Sequence, residues 1–524
     1  MNKIKILDCT LRDGGYVNDF AFTEHGIRKI IGQLTQAGID IIECGFLEDG
    51  NDDKDCSLYT KVEQIKNYLP ADHGNTMFVA MACYGEYDLG QLSDYDGTSI
   101  DGIRVTFHYN EIEGALEYCH QIMAKGYKVF VQPVGTTSYT DEQLLELIKS
   151  VNELQPYSFY LVDTLGLMQQ RDVLRFFYLI DHNLKKSIHM GFHSHNNLQL
   201  SYSNCQSLVS VESDRTISLD SSVYGMGRGA GNLNTELIAS YLNEHKTRKY
   251  EIEPLLEIVD EFIINIKKEH EWGYSVPYYL AAINGCHPNY AGYLSGKQTL
   301  NVKSISTILR MIEPEQRSLF NKDLAEQKYR EFQAREVDDS SAIAELTSQI
   351  RGRNVLLIAP GPSLSEHAQD VADVARKENC IVISATFVPE FIECDYTFLS
   401  NLKRYNTTFN PTGRKLNLIN TSNIKIENET SLVINYSSVT NEDNIIMDNT
   451  SIMLLNLLLR LSPKKVYLAG LDGYSIGKNN YYLTRLQFNQ DADYMLAINK
   501  AITTKIADLR KSLNIEFITP TLYE

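Results

Sequence analysis

Two histidines two residues apart, His193 and His195 in Gly191-Phe192-His193-Ser194-His195-Asn196-Asn197, are the first candidates for chemistry. On an extended segment, an i, i+2 spacing puts both imidazoles on one face. With one carboxylate they would form a donor set that leaves positions open on a divalent ion, as Lewis-acid catalysis needs. Asp13, in Asp8-Cys9-Thr10-Leu11-Arg12-Asp13-Gly14-Gly15, is the best carboxylate candidate. Arg12 beside it offers a planar cation to an oxyanion, or an ion pair to Glu43 or Asp163. A lone H-x-H is also compatible with a structural pair, so its place in the fold decides.

Eight β-rich runs precede residue 224: Ile4–Cys9, Ile41–Phe46, Phe78–Tyr84, Ile103–His108, Val129–Val134, Phe159–Asp163, Ile188–His193 and Thr216–Val223. Amphipathic stretches such as Gly26–Ala37 and Asp141–Leu154 separate them. Eight strands alternating with helices predict a closed (β/α)8 TIM barrel, with an open doubly wound sheet as the alternative. In such barrels the functional groups sit where strands end. Asp8 to Gly15 follows the first run, Glu43 ends the second, Asp163 the sixth, and the two histidines the seventh. Residues 1–300 are therefore assigned to the barrel. Glu251–Ile312 reads helical around a loop at Gly285–Asn289, and residues 301–351 read as a charged helical connector.

Three segments together, Asp8-Cys9-Thr10-Leu11-Arg12-Asp13-Gly14, His193-Ser194-His195-Asn196-Asn197-Leu198 and Gly225-Met226-Gly227-Arg228-Gly229-Ala230-Gly231-Asn232, resemble the metal-dependent lyase superfamily of TIM barrels. That superfamily holds 3-hydroxy-3-methylglutaryl-CoA lyase, isopropylmalate synthase and 4-hydroxy-2-oxovalerate aldolase, and the resemblance is greatest to the aldolase. It implies Mn²⁺ or Mg²⁺ on Asp13, His193 and His195, with Asn232 completing the metal set. It also implies Asp8 as a buttress of the loop and Arg12 on the enolate oxygen of a 2-oxo acid. The chain departs from the aldolase pattern at Tyr16, where that family carries a basic His, and from the synthase branch, which has Glu-Gln after Arg-Asp-Gly. Tyr290 falls about where the aldolase has a functional Tyr. His287, three residues earlier, is expected to replace the missing base, since imidazole has a suitable pKa; a capping or loop histidine is the alternative. Arg12, Tyr16, Glu43, His287 and Tyr290 are thus the catalytic candidates.

A second α/β series occupies residues 352–524. Its apolar runs are Val355–Ala359, Ile381–Thr386, Tyr396–Leu399, Leu416–Ile419, Leu432–Tyr436, Val466–Ala469 and Ile515–Ile518, with helical patterns at Ser365–Lys377, Ser451–Leu461 and Asp491–Leu513. This predicts a Rossmann-like doubly wound domain. In Ala359-Pro360-Gly361-Pro362-Ser363-Leu364, a strand meets a tight turn and a serine placed to cap the next helix, a junction that offers N–H groups to a phosphate. A plain structural turn is equally compatible. The segment resembles an α/β family around motility-associated glycosylation factors and pterin-diphosphokinase-like proteins, as does Gly470-Leu471-Asp472-Gly473. The resemblance implies a nucleotide or nucleotide-sugar near Gly361, Ser363 and Asp472.

Composition supports globular domains: 43% of residues are hydrophobic and 22% charged. A net charge of −18 argues against a basic nucleic-acid surface. No run is long enough to span a membrane, and the nine cysteines form no C-x-x-C pair. The expectation is a cytoplasmic homo-oligomer: an aldolase/lyase joining or splitting a pyruvate-type 2-oxo acid and an aldehyde, fused to a nucleotide-sugar-binding domain, for surface-polysaccharide building blocks. The competing readings are a Claisen-type acyl-CoA synthase and a non-catalytic binding or assembly protein.

Overall fold

The computed structural model describes residues 3–50, 53–246, 249–297, 299–334, 336–408, 417–426, 431–483, 486 and 492–524; Leu416 and Asp491, expected in a strand and a helix, lie outside them. The chain divides into two compact units, residues 1–292 with 313–320, and residues 293–312 with 321–524.

In the first unit, eight parallel strands run in chain order around a closed sheet: β1 Lys3–Asp8, β2 Ile41–Leu47, β3 Met77–Cys83, β4 Gly102–Phe107, β5 Lys128–Pro133, β6 Ser158–Asp163, β7 His189–Ser194 and β8 Thr216–Ser221. Closure is made by β1, which pairs with β8 on one side and β2 on the other. A two-residue strand, Leu58–Tyr59, adds beside β2. This is a TIM barrel. The helices pack outside it because each presents an apolar stripe at i, i+3, i+4 spacing. Helix Glu24–Gln36 buries Ile27, Ile30, Ile31 and Leu34, and its first turn is capped by Thr23, whose Oγ1 accepts from the Gly26 N–H at 3.1 Å. Each such side chain contributes about 1.5–3 kcal/mol. Inside the barrel a smaller apolar layer of Leu7, Cys9, Ile41, Val79, Phe130, Tyr160 and Val162 lies below the polar mouth.

After β8 the chain is helical as expected, but the loop is shorter than predicted: a helix begins at Pro288 and runs to Gly296. Proline at a first helical position loses no bond, since that N–H has no intrahelical acceptor.

In the second unit a seven-stranded, all-parallel open sheet contains β9 Asn354–Ile358, β10 Ile381–Ala385, β11 Tyr396–Leu399, β12 Leu418–Thr421, β13 Ser431–Ile434, β14 Lys465–Ala469 and β15 Ile515–Phe517. The order is β13-β12-β11-β10-β9-β14-β15, so the winding reverses between β9 and β14. Alternate residues of β9 face opposite layers: Val355 and Leu357 pack with helix Thr450–Leu461, while Leu356 and Ile358 pack with helix Leu364–Lys377. Burial on both faces is why these strands read as continuous apolar runs. The connector expected at 301–351 groups largely with this unit: Leu346 and Ile350, on helix Ser340–Ile350, are fully buried in its core. No helix among the described residues is long and apolar enough to cross a membrane.

Candidate active site

The loop after β1 turns sharply because the Cys9 carbonyl accepts the N–H groups of Arg12 and Asp13, at 3.1 and 2.8 Å. Asp8 buttresses this turn from inside, as expected. Its carboxylate accepts from the Thr10 N–H at 2.9 Å and the Thr235 hydroxyl at 2.6 Å, and burial pushes it up to about 6. Arg12 and Asp13 are thereby held at the mouth, 5% and 3% exposed.

The donor atoms of Asp13, His193 and His195 lie within 4.8 Å of one another. The imidazole centroids are 5.0 Å apart, with the rings nearly perpendicular. His193 Nδ1 is 3.0 Å from Asp220 Oδ2, so it donates there, leaving the other ring nitrogen's lone pair for a cation. Burial pushes His195 down to about 3, so its ring is neutral and able to donate a lone pair at ordinary pH. Burial alone would raise the Asp13 carboxyl, but Arg12, the two imidazoles and a hydrogen bond from Asn232 outweigh it and hold the group well below the usual carboxylate range.

Asn232 Nδ2 donates to Asp13 Oδ2 at 2.6 Å, while its Oδ1 is buried without a hydrogen-bond partner. A buried amide oxygen beside a carboxylate and two imidazoles is what a hard divalent cation would satisfy. This close approach requires glycine at 227: a Cβ there would lie 2.4 Å from Asn232 Nδ2 and 2.8 Å from Asp13 Oδ2. The donor set therefore fits a divalent metal.

Arg12 donates through Nε to Glu43 Oε2 at 2.9 Å and through Nη1 to Asp13 Oδ1 at 2.7 Å. Of its two expected ion-pair partners, Glu43 is present and Asp163 is not. Asp163 instead accepts the N–H groups of Leu167 and Met168, at 2.9 and 3.0 Å, closing the loop after β6. Sequence reasoning missed two residues. Arg104, fully buried on β4, donates to Glu43 Oε2 at 2.6 Å and to Asp220, so an unbroken chain of bonds runs from Asp13 to His193. The signal was available: Arg104 and Asp220 are the charged residues in Gly102–Phe107 and Thr216–Ser221, and a charge within a barrel strand must be paired. Asp220→Asn should weaken metal binding by about 10–100-fold, read by competition with a chelating dye, because a neutral amide replaces the carboxylate that orients His193 and makes its ring a stronger donor.

Tyr16 and His287 flank Arg228. The guanidinium lies 4.0 Å from the Tyr16 ring centroid, and Nη1 is 3.2 Å from His287 Nε2. Burial pushes the Tyr16 phenol up although Arg228 pulls it down. His287 does not suit the base role expected of it. Burial and then Arg228 push it down to about 4, and the Asn289 N–H approaches its Nδ1 at 3.2 Å. Two donors thus face a neutral ring that has one lone pair, leaving none for a substrate proton. Tyr290 is fully buried, and its hydroxyl meets the carbonyls of Gln316 and Leu319, both at 3.0 Å, which pins segment 313–320 to the first unit.

In the second unit the expected residues converge at the reversal between β9 and β14. Ser363 does not cap its helix with its side chain. Its N–H and hydroxyl both donate to Asp472, at 2.7 and 2.6 Å, so a carboxylate from 109 residues away already occupies the helix N-terminus. Gly361 donates to the Gly470 carbonyl at 2.7 Å, and a Cβ at 361 would lie 2.3 Å from that oxygen. Gly361, Gly470 and Asp472 line a cavity of ≈ 160 Å³, with Arg404 and Tyr481 also in its lining, and Ser363 lies outside that lining.

Comparison with known proteins agrees with the barrel. Residues 3–260 match the HMGL-like family. An oxaloacetate decarboxylase of Mycobacterium tuberculosis is 27% identical over 246 residues, spanning 45% of this chain and 69% of that protein. A 4-hydroxy-2-oxovalerate aldolase of Geobacillus genomosp. 3 is 26% identical over 243 residues, 46% of this chain and 70% of that protein. The N-terminal domain of a Bacteroides vulgatus protein, provisionally described as an aldolase, shares the fold with a TM-score of 0.51 at 24% identity, covering 59% of this chain and 100% of that one. With the closed eight-stranded sheet and the donor set at its mouth, residues 3–260 form a TIM barrel similar to the HMGL-like family.

Proposed function

We propose that the barrel is a metal-dependent carbon–carbon lyase acting on a 2-oxo acid through its enolate, with an aldehyde as the second reactant. The convergence of Asp13, His193, His195 and the unpartnered Asn232 oxygen beside Arg12 carries this reading. A divalent ion held there, Mn²⁺ or Mg²⁺, would supply Lewis acidity to the 2-oxo acid. Arg12 is fixed at two of its nitrogens by Glu43 and Asp13, so its remaining N–H groups face an oxygen that gains charge without reorganising. Tyr16, whose phenol is pushed up, keeps its proton at neutral pH and suits the role of acid toward the alkoxide formed on addition. The relatives named as aldolases support carbon–carbon chemistry of this kind.

A decarboxylase is the second reading. It makes the same enolate but needs no base for a hydroxyl proton, and neither Tyr16 nor His287 offers one. One experiment tests both. The Mn²⁺-loaded chain is incubated in D₂O with pyruvate and, separately, with oxaloacetate, and methyl-proton exchange and CO₂ release are followed. Exchange supports the lyase reading, and CO₂ release adds the decarboxylase; silence with both substrates rejects enolate chemistry.

For the second unit we propose a nucleotide or nucleotide-sugar ligand, in keeping with surface-polysaccharide building-block synthesis. Its support is the cavity at the reversal of the winding, the place where open α/β sheets bind ligands. Calorimetry with nucleoside diphosphates and their sugar conjugates tests it, and no heat from either class would reject it.

A further inference from the structure

Arg228 is the cation of the barrel mouth that lacks a counter-ion. Its interactions are the Tyr16 ring and His287 Nε2, and no carboxylate pairs with it among the described residues. Arg12, Arg104 and Arg215, the buried arginines among the described residues of this unit, are each tied to carboxylates. Arg228 is only half-buried, so the cost of leaving it unpaired is moderate, yet it is held in place from several sides. The Ala230 N–H donates to Asn197 Oδ1 at 3.0 Å, the Gly231 N–H to the Arg228 carbonyl at 3.1 Å, and the Asn196 N–H to the Gly231 carbonyl at 2.8 Å. The loop carrying Arg228 is thereby fastened to the loop carrying His195. Tyr16 in turn is packed edge-on against Phe20, with centroids 5.2 Å apart, and gives the guanidinium a rigid face. A planar cation immobilised on an aromatic face with its outer N–H groups free is a pre-organised receptor for a carboxylate or phosphate.

We propose that Arg228 binds an oxyanion at the end of the substrate remote from the 2-oxo group, so that the aldehyde taken by this barrel carries a carboxylate or a phosphate. This rests on the lyase reading above and names its substrate class. It also gives Tyr16 a task, since its electron-rich ring face seats the guanidinium. The same geometry disfavours loss of CO₂ from that remote carboxylate: a cation beside a departing carboxylate stabilises the reactant more than the charge-dispersed transition state.

The test uses the full-length, Mn²⁺-loaded chain. Binding of 2-oxoglutarate, which has an anionic tail, is compared with binding of 2-oxobutanoate by calorimetry. With pyruvate as co-substrate, KM is compared for succinic semialdehyde, glyceraldehyde 3-phosphate and butanal. The wild type should favour the anionic member of each comparison by roughly 10–100-fold, the range of a charge-assisted contact. The larger preference identifies carboxylate or phosphate as the natural group. Arg228→Gln should reduce the ratios to about 1, Arg228→Lys should retain part of them, and Tyr16→Leu, which removes the platform, should lower them. Equal affinity for neutral and anionic ligands in the wild type, or an undiminished ratio in Arg228→Gln, overturns the proposal. The calorimetric ratio needs no turnover, so an anion preference without aldol activity would reject the lyase reading while leaving the role of Arg228 standing.

Discussion

His195→Ala should bring bound metal down to background, as measured by elemental analysis of protein purified without chelator, and lower turnover by at least ~10³-fold. The size follows from Lewis-acid stabilisation of several kcal/mol, at about 1.4 kcal/mol per tenfold. The neutral His195 ring is a ligand that needs no proton removed before it can donate. Without it, Asp13 and His193 remain with one amide oxygen, too few donors of the right kind to retain a labile divalent ion through purification. The far-UV circular dichroism spectrum should not change, because His195 lies at a strand end and outside the apolar clusters. Full metal content in this variant would show that the cation, if any, binds elsewhere.

Arg12→Lys should retain metal and lose roughly 10²–10³-fold in kcat, the scale for removing a pre-organised oxyanion donor. Lysine keeps the charge, but its single ammonium group cannot satisfy Glu43 and Asp13 together while also facing substrate. The buried carboxylates would lose a partner, a change of a kind that costs about 3–5 kcal/mol when a buried pair is broken outright. A fall of several degrees in Tm should therefore accompany the catalytic loss. A lower Tm with near-normal kcat would make Arg12 a structural ion pair alone.

The barrel was legible because its strands are apolar runs of about six residues, most of them separated by amphipathic helices though none stands between β3 and β4 among the described residues, and the period of burial marks such elements whatever their partners. Asp13, His193 and His195 were legible for a related reason: they lie at strand ends or in the loops that follow them, and a parallel barrel brings all strand ends to one face. Arg104 and Asp220 escaped notice because a pairing across the barrel is set by closure, and neither residue has its partner nearby in sequence. Ser363 misled in the same way. Local pattern made it a helix cap, yet its own N–H and hydroxyl donate to Asp472, which comes from a different strand end. His287 was chosen for the ordinary pKa of imidazole, and its burial beside Arg228 removes that property.

The bonded cluster under the barrel mouth also has a charge balance. The carboxylates of Asp13, Glu43 and Asp220 stand against the guanidiniums of Arg12 and Arg104, leaving one negative charge in excess inside a desolvated ring. A 2-oxo acid is itself an anion, and in that surrounding its carboxylate is repelled. Two added positive charges reverse the sign, and one carboxylate then brings the sum to zero. On the proposed lyase reading, the balance within this cluster favours the cation arriving before the 2-oxo acid.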